Sequence, residues 1–133
     1  SRLVDYTDQF QAGARRFDAG QRTNNSLIAA ANCALEQIHE WGTDRIQHYL
    51  GQLTRVIARQ SEARGLRCTP VDARAPHLLG IELPEDRISD VSSALTDAKV
   101  FVSVRGNKLS VAPYLYNSEQ DVERLFENLD RVV

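Results

Sequence analysis

Two places in this sequence put polar side chains where an anion can be held. The first is the run Gly20-Gln21-Arg22-Thr23-Asn24-Asn25-Ser26, which leads straight into an amphipathic segment. Free backbone N–H groups and the helix dipole make the start of a helix receptive to negative charge. The same run is also an ordinary helix cap, and the residues alone allow both readings. The second is Arg105, which ends an apolar strand segment just before Gly106-Asn107-Lys108. A guanidinium there can hold a carboxylate through two parallel hydrogen bonds. It can equally lie along the hairpin with its charge in water.

Other chemistry is thinner. His39, His48, His77, Cys33 and Cys68 follow no recognised metal-ligand spacing. Cys33 falls on the inner half of a helix and Cys68 on a short strand, where small core residues are expected. Glu82, Glu85 and Asp86 lie at a strand end, and read as solvated loop charges or as acids favouring the next helix through its dipole. Arg55, Arg59 and Arg64 read as one wet helix face. Lys99 and Lys108 are the only lysines, so any lysine chemistry has two candidates.

The elements that must position these residues follow from hydrophobic period. Leu27, Ala31, Ala34, Leu35, Ile38 and Trp41 predict a helix over 25–41, capped by Asn25 or Ser26 and closed by Gly42. Ile46, Leu50, Leu53 and Ile57 predict a second helix from Thr43 to Gly65. Leu66–Thr69 reads as a short strand stopped by Pro70, and His77–Leu83 as a buried strand between prolines. Asp86–Ala98 reads as a helix, with Ile88, Val91, Leu95 and Ala98 inward. Val100–Val104 and Leu109–Ala112 read as strands joined by a tight turn. Ser118 caps a last helix with Asp121 three residues on, and Val122, Leu125, Phe126, Leu129 and Val132 face inward. The order α-α-β-β-α-β-β-α predicts an α+β fold, a two-layer sandwich of a small, mostly antiparallel sheet covered by helices. Residues 1–24 lack period and read as a lead-in segment from an adjoining large domain. Residues 25–133 read as the small α/β domain.

Composition narrows the function classes. The 133 residues are 42% hydrophobic and 26% charged, with a net charge of −2, an ordinary globular mix. That balance argues against a nucleic-acid partner, which wants a basic patch. No apolar run approaches the roughly 18 residues of a membrane span. Two cysteines make no disulfide framework, which favours a reducing cytoplasm. The absence of methionine points to a piece of a longer protein.

Three segments, in order, resemble the class V aminotransferase group, which includes cysteine desulfurases and selenocysteine lyases. They are Arg16-Phe17-Asp18-Ala19-Gly20 with the alanine-rich segment ending Glu40-Trp41-Gly42, then Val102-Ser103-Val104-Arg105-Gly106, then Pro113-Tyr114-Leu115-Tyr116-Asn117-Ser118-Glu119-Gln120-Asp121-Val122. The resemblance covers nearly the whole chain. It implies the C-terminal small domain of a pyridoxal-phosphate enzyme, a homodimer in the parent, an amino-acid-like small-molecule substrate and a missing N-terminal large domain. The Schiff-base lysine of such enzymes lies upstream, so the resemblance implies an isolated chain that is inactive.

The resemblance also implies site residues. Relatives often carry, just after the glycine, a threonine that reaches the cofactor phosphate of the partner subunit. Here Gln21 holds that position, with Arg22 to supply charge and Thr23 two residues on. Many relatives hold the substrate carboxylate with an arginine three residues before the proline that is here Pro113. That position is Ser110, which cannot make a bidentate charged pair. Either Arg105 takes over the substrate-binding role or the parent binds no ordinary amino acid there. The alternative reading is a stand-alone, non-catalytic module that binds a protein or peptide.

Overall fold

The computed structural model describes residues 9–17 and 24–133. The chain divides into two compact units, residues 1–40 and 41–133. In the first, a 3₁₀ turn spans Gly13–Phe17, and helix α1 spans Asn25–Trp41 and contains no buried residue. Its cap is Asn24, not the predicted Asn25 or Ser26. The Asn24 Oδ1 accepts the Leu27 N–H at 3.1 Å, satisfying one of the orphan donors of the first turn. Gly42, at φ 77°, separates α1 from the next helix as its position predicted.

The second unit holds α2 (Thr43–Ala63), β1 (Leu79–Glu82), α3 (Ile88–Asp97), β2 (Ser103–Arg105), β3 (Lys108–Val111) and α4 (Glu119–Leu129). The three strands form one antiparallel sheet in the order β1-β3-β2. The predicted α+β architecture is what the chain adopts. The strand predicted at 66–69 is reduced to one bridge, Cys68 to Ile81. Gly65 and Pro70 leave this stretch room for only two backbone bonds to β1. These are Thr69 N–H to Gly80 O at 2.9 Å and Glu82 N–H to Arg67 O at 2.8 Å. A Cβ on Gly80 would lie 2.9 Å from Thr69 Oγ1, so glycine permits this close approach. β1 begins at Leu79 and β2 at Ser103, later than predicted, whereas β3 keeps its expected four residues one position earlier, at Lys108–Val111.

Two helix ends use the same device. After α2, Leu66 N–H reaches Ser61 O and Gly65 N–H reaches Glu62 O. After α3, Val100 N–H reaches Leu95 O and Lys99 N–H reaches Thr96 O. Both are Schellman motifs. Gly65 takes the left-handed position without cost, whereas Lys99 occupies it at φ 57° with a side chain.

The core lies between one face of the sheet and the helices. Leu79, Ile81, Leu109 and Val111 supply the sheet side, and Ile57, Val91, Leu95, Phe126 and Leu129 the helical side. Each such side chain contributes about 1.5–3 kcal/mol by leaving water. Helix α4 packs on both α2 and α3. Alternation along β1 and β3 sends Gly80, Glu82, Lys108 and Ser110 to the opposite face.

Candidate functional site

That opposite face carries the residues with chemistry. The register sets Glu82, Lys108 and Arg105 in one row across the three strands, and Gly80, Ser110 and Ser103 in the next. The two residues expected to meet a substrate therefore share a face, on adjacent strands and one row apart. Arg105 is exposed and Ser110 half-buried. Gly80 contributes no side chain beside Ser110, and Thr69 Oγ1 stands where one would go.

Charge on this face is unequally matched. Glu82 lies 3.2 Å from Lys108 Nζ and 2.7 Å from Arg67 Nη2. The Lys108 hydrogen bond, aided by Arg67, holds its carboxyl below the ordinary range against the opposing effect of burial. Glu82 is thus an ion-paired strand residue, which corrects its reading as a loop charge. The period-2 alternation of Leu79-Gly80-Ile81-Glu82 places it on the outer face, but its partners depend on register. Arg105, by contrast, makes no ion pair among the described residues. A cation beside an already neutralised pair can accept an outside carboxylate without first breaking an internal bond. Ser110 can add one hydroxyl.

The arginine-rich face of α2 also divides. Arg55 and Arg59 are exposed as expected. Arg64 is exposed as well, but it has partners. Its guanidinium lies 4.6 Å from the Phe126 ring centroid and donates to Asp130 through Nε and, at 2.7 Å, through Nη2. Gln21, Arg22 and Thr23 lie outside the described residues.

No family model matches the chain. Over 117 residues, 87% of the chain, it is 24% identical to the "uncharacterized aminotransferase YcbU" of Bacillus subtilis (strain 168), of which it covers 31%. Its fold matches that of a solved "NifS-like protein" with a TM-score of 0.66 at 19% identity, covering 92% of this chain and 38% of that one. The chain has the fold of the matched part of that NifS-like protein. It therefore spans about a third of the length of the proteins it resembles.

Neither lysine of this domain suits a Schiff base. Lys108 is tied to Glu82 in an ion pair at 3.2 Å. Lys99 is exposed at the end of α3. The described residues contain no group of three or more His, Cys, Asp or Glu able to hold a metal. Both cysteines are free, with Cys33 exposed and Cys68 half-buried. Burial pushes the Cys68 thiol up, away from the reactive thiolate. No helix among the described residues is long and apolar enough to cross a membrane.

Proposed function

We propose that this chain is the C-terminal small domain of a pyridoxal-phosphate enzyme in the cysteine desulfurase or selenocysteine lyase branch. In this reading residues 1–24 lead in from a large domain, and residues 25–133 close one side of the active-site cleft. The parent is a homodimer acting on an amino-acid-like substrate. When bound by the parent, pyridoxal phosphate supplies the electron sink, held by a lysine outside this chain. The observation that carries the reading is the pairing of coverages: the fold match takes in 92% of this chain but only 38% of the NifS-like protein.

Within that parent, Arg105 is assigned the substrate carboxylate, because it is the outer-face cation left over once Glu82 has its partners. Ser110 adds a single hydrogen bond. Gln21, Arg22 and Thr23 are assigned to the cofactor phosphate of the partner subunit, on the resemblance alone. The test is the full reading frame, expressed and purified. It should contain an upstream domain with a candidate lysine, and should carry pyridoxal phosphate that hydroxylamine releases. Arg105→Ala should then raise KM about tenfold or more, with a smaller change in kcat and an unchanged unfolding midpoint. A full-length protein with neither the lysine nor the cofactor would end this reading in favour of a non-catalytic module.

A further inference from the structure

A second cationic feature lies away from the sheet. Helix α2 and the loop over residues 71–76 enclose a cavity of about 320 Å³, with Arg55, Arg74, Gln47, His48 and Asp44 on its walls. Gly51 and Pro76 form its floor. A Cβ on Gly51 would stand 3.6 Å from Pro76 Cβ and 3.8 Å from Arg55 Nη1. Helix and loop thus touch beneath the cavity, and the Arg55 guanidinium lies over that contact.

Arg74 is held in place. It is half-buried, its Nη1 donates to Thr69 O at 3.0 Å, and its Nη2 reaches Thr54 O at 3.4 Å. Thr54 Oγ1 in turn donates to Pro76 O at 2.9 Å. These acceptors are neutral carbonyls. They fix the guanidinium without matching its charge, and leave three of its five N–H donors without a partner among the described residues. Arg55 has no ion pair among the described residues, and neither has Asp44, the cavity's one acid. Exposed Arg55 and half-buried Arg74 thus line one cavity with a single acid, Asp44, so its wall carries one more positive than negative charge. An adjoining groove shares Arg55 and Arg74 and adds Arg59, but Glu62 and Glu119 also line it. Each lining carries one more positive than negative charge, and the first has the fewer acids, Asp44 alone.

We propose that this cavity binds a phosphate-class dianion, either free phosphate or a phosphate monoester, between Arg55 and Arg74. Two guanidiniums match a tetrahedral dianion in charge and in donor geometry. The volume, about 320 Å³, is at the low end for small-molecule pockets and leaves room for a short ester body against Val71 and Pro76. The site does not depend on Arg105 or on the cleft, so it stands or falls apart from the role proposed above.

The chain would be titrated with inorganic phosphate, phenyl phosphate and acetate, with chloride holding ionic strength constant. Calorimetry would follow binding, and NMR the Arg Nε–H signals. Saturable phosphate binding that moves the Arg55 and Arg74 signals is expected. Arg55→Gln should weaken it about tenfold with an unchanged circular dichroism spectrum. Arg74→Lys, which keeps a cation near the loop carbonyls but removes the fork, should weaken it as well, and Arg105→Gln should leave it unaltered. Tighter binding of phenyl phosphate identifies a monoester site, and equal or weaker binding a free-phosphate site. Absence of saturation, binding that survives Arg55→Gln, or acetate binding as tightly as phosphate would each overturn the proposal.

Discussion

Helices α1 and α4 carry the same kind of pattern and meet opposite fates. Each has apolar residues at helical spacing along one side. In α4 that side is sealed: Phe126 is 1% exposed and Leu129 fully buried, against α2 and α3. In α1 it is open: Leu27 is 66% exposed and Leu35 63%. The difference shows that period specifies a helix and a stripe but not a cover. Burial needs a second surface of matching shape, and only α4 has one within its own unit. Capping does not separate the two, since both starts are closed by side chains, Asn24 on α1 and the Ser118–Asp121 box on α4.

The contrast can be broken most directly at Phe126. Phe126→Ala should cost about 3–5 kcal/mol, read from the shift in the urea midpoint. A loss near 1 kcal/mol would mean that α4 is no better packed than α1. A smaller effect attaches to the rim of the same helix, where Arg64 covers Phe126 and pairs with Asp130. Removing Arg64 should cost about 0.5–1 kcal/mol.

That pair also sets a sign in pH. The Arg64 hydrogen bond holds the Asp130 carboxyl below its ordinary value, and the Ser118 backbone N–H does the same for Asp121. A carboxyl lowered on folding stabilises the fold above its unfolded value, near 4. That contribution disappears as pH falls through the lower folded value. Stability should therefore drop on acidification below about pH 4, and Asp130→Asn should flatten the drop. An unchanged slope in that variant would show that the pair is not linked to folding. The least effect is expected on α1. Leu35→Ala should shift the midpoint of this chain by no more than about 0.5 kcal/mol, and a loss comparable to that of Phe126→Ala would erase the contrast.

Much of this was legible from residue order. The four helices, the glycine joints at Gly42 and Gly65, the Arg105–Lys108 turn and the inner face of α4 all follow from local period and local backbone preference. Side-chain pairing was not legible. Glu82 read as a loop charge, yet register sets it beside Lys108 and Arg67. Arg64 is exposed as read, yet it also lies over Phe126 and pairs with Asp130, both more than 60 residues later in the chain. The strand at 66–69 is reduced to one bridge because, between Gly65 and Pro70, it makes only two backbone bonds to β1.

What the sequence by itself determined is the set of elements, their order and the segments through which the chain resembles class V aminotransferases. These depend on spacing along one chain, where backbone preference and hydrophobic period act over a few residues. Tertiary structure alone decided which cations are already satisfied and which are left over. Arg67, Lys108 and Arg64 found carboxylates across strands or helices, while Arg105, Arg55 and Arg74 found none among the described residues. A charge is neutralised by whatever lies within a few ångströms in space, and the fold, not the residue order, sets that distance.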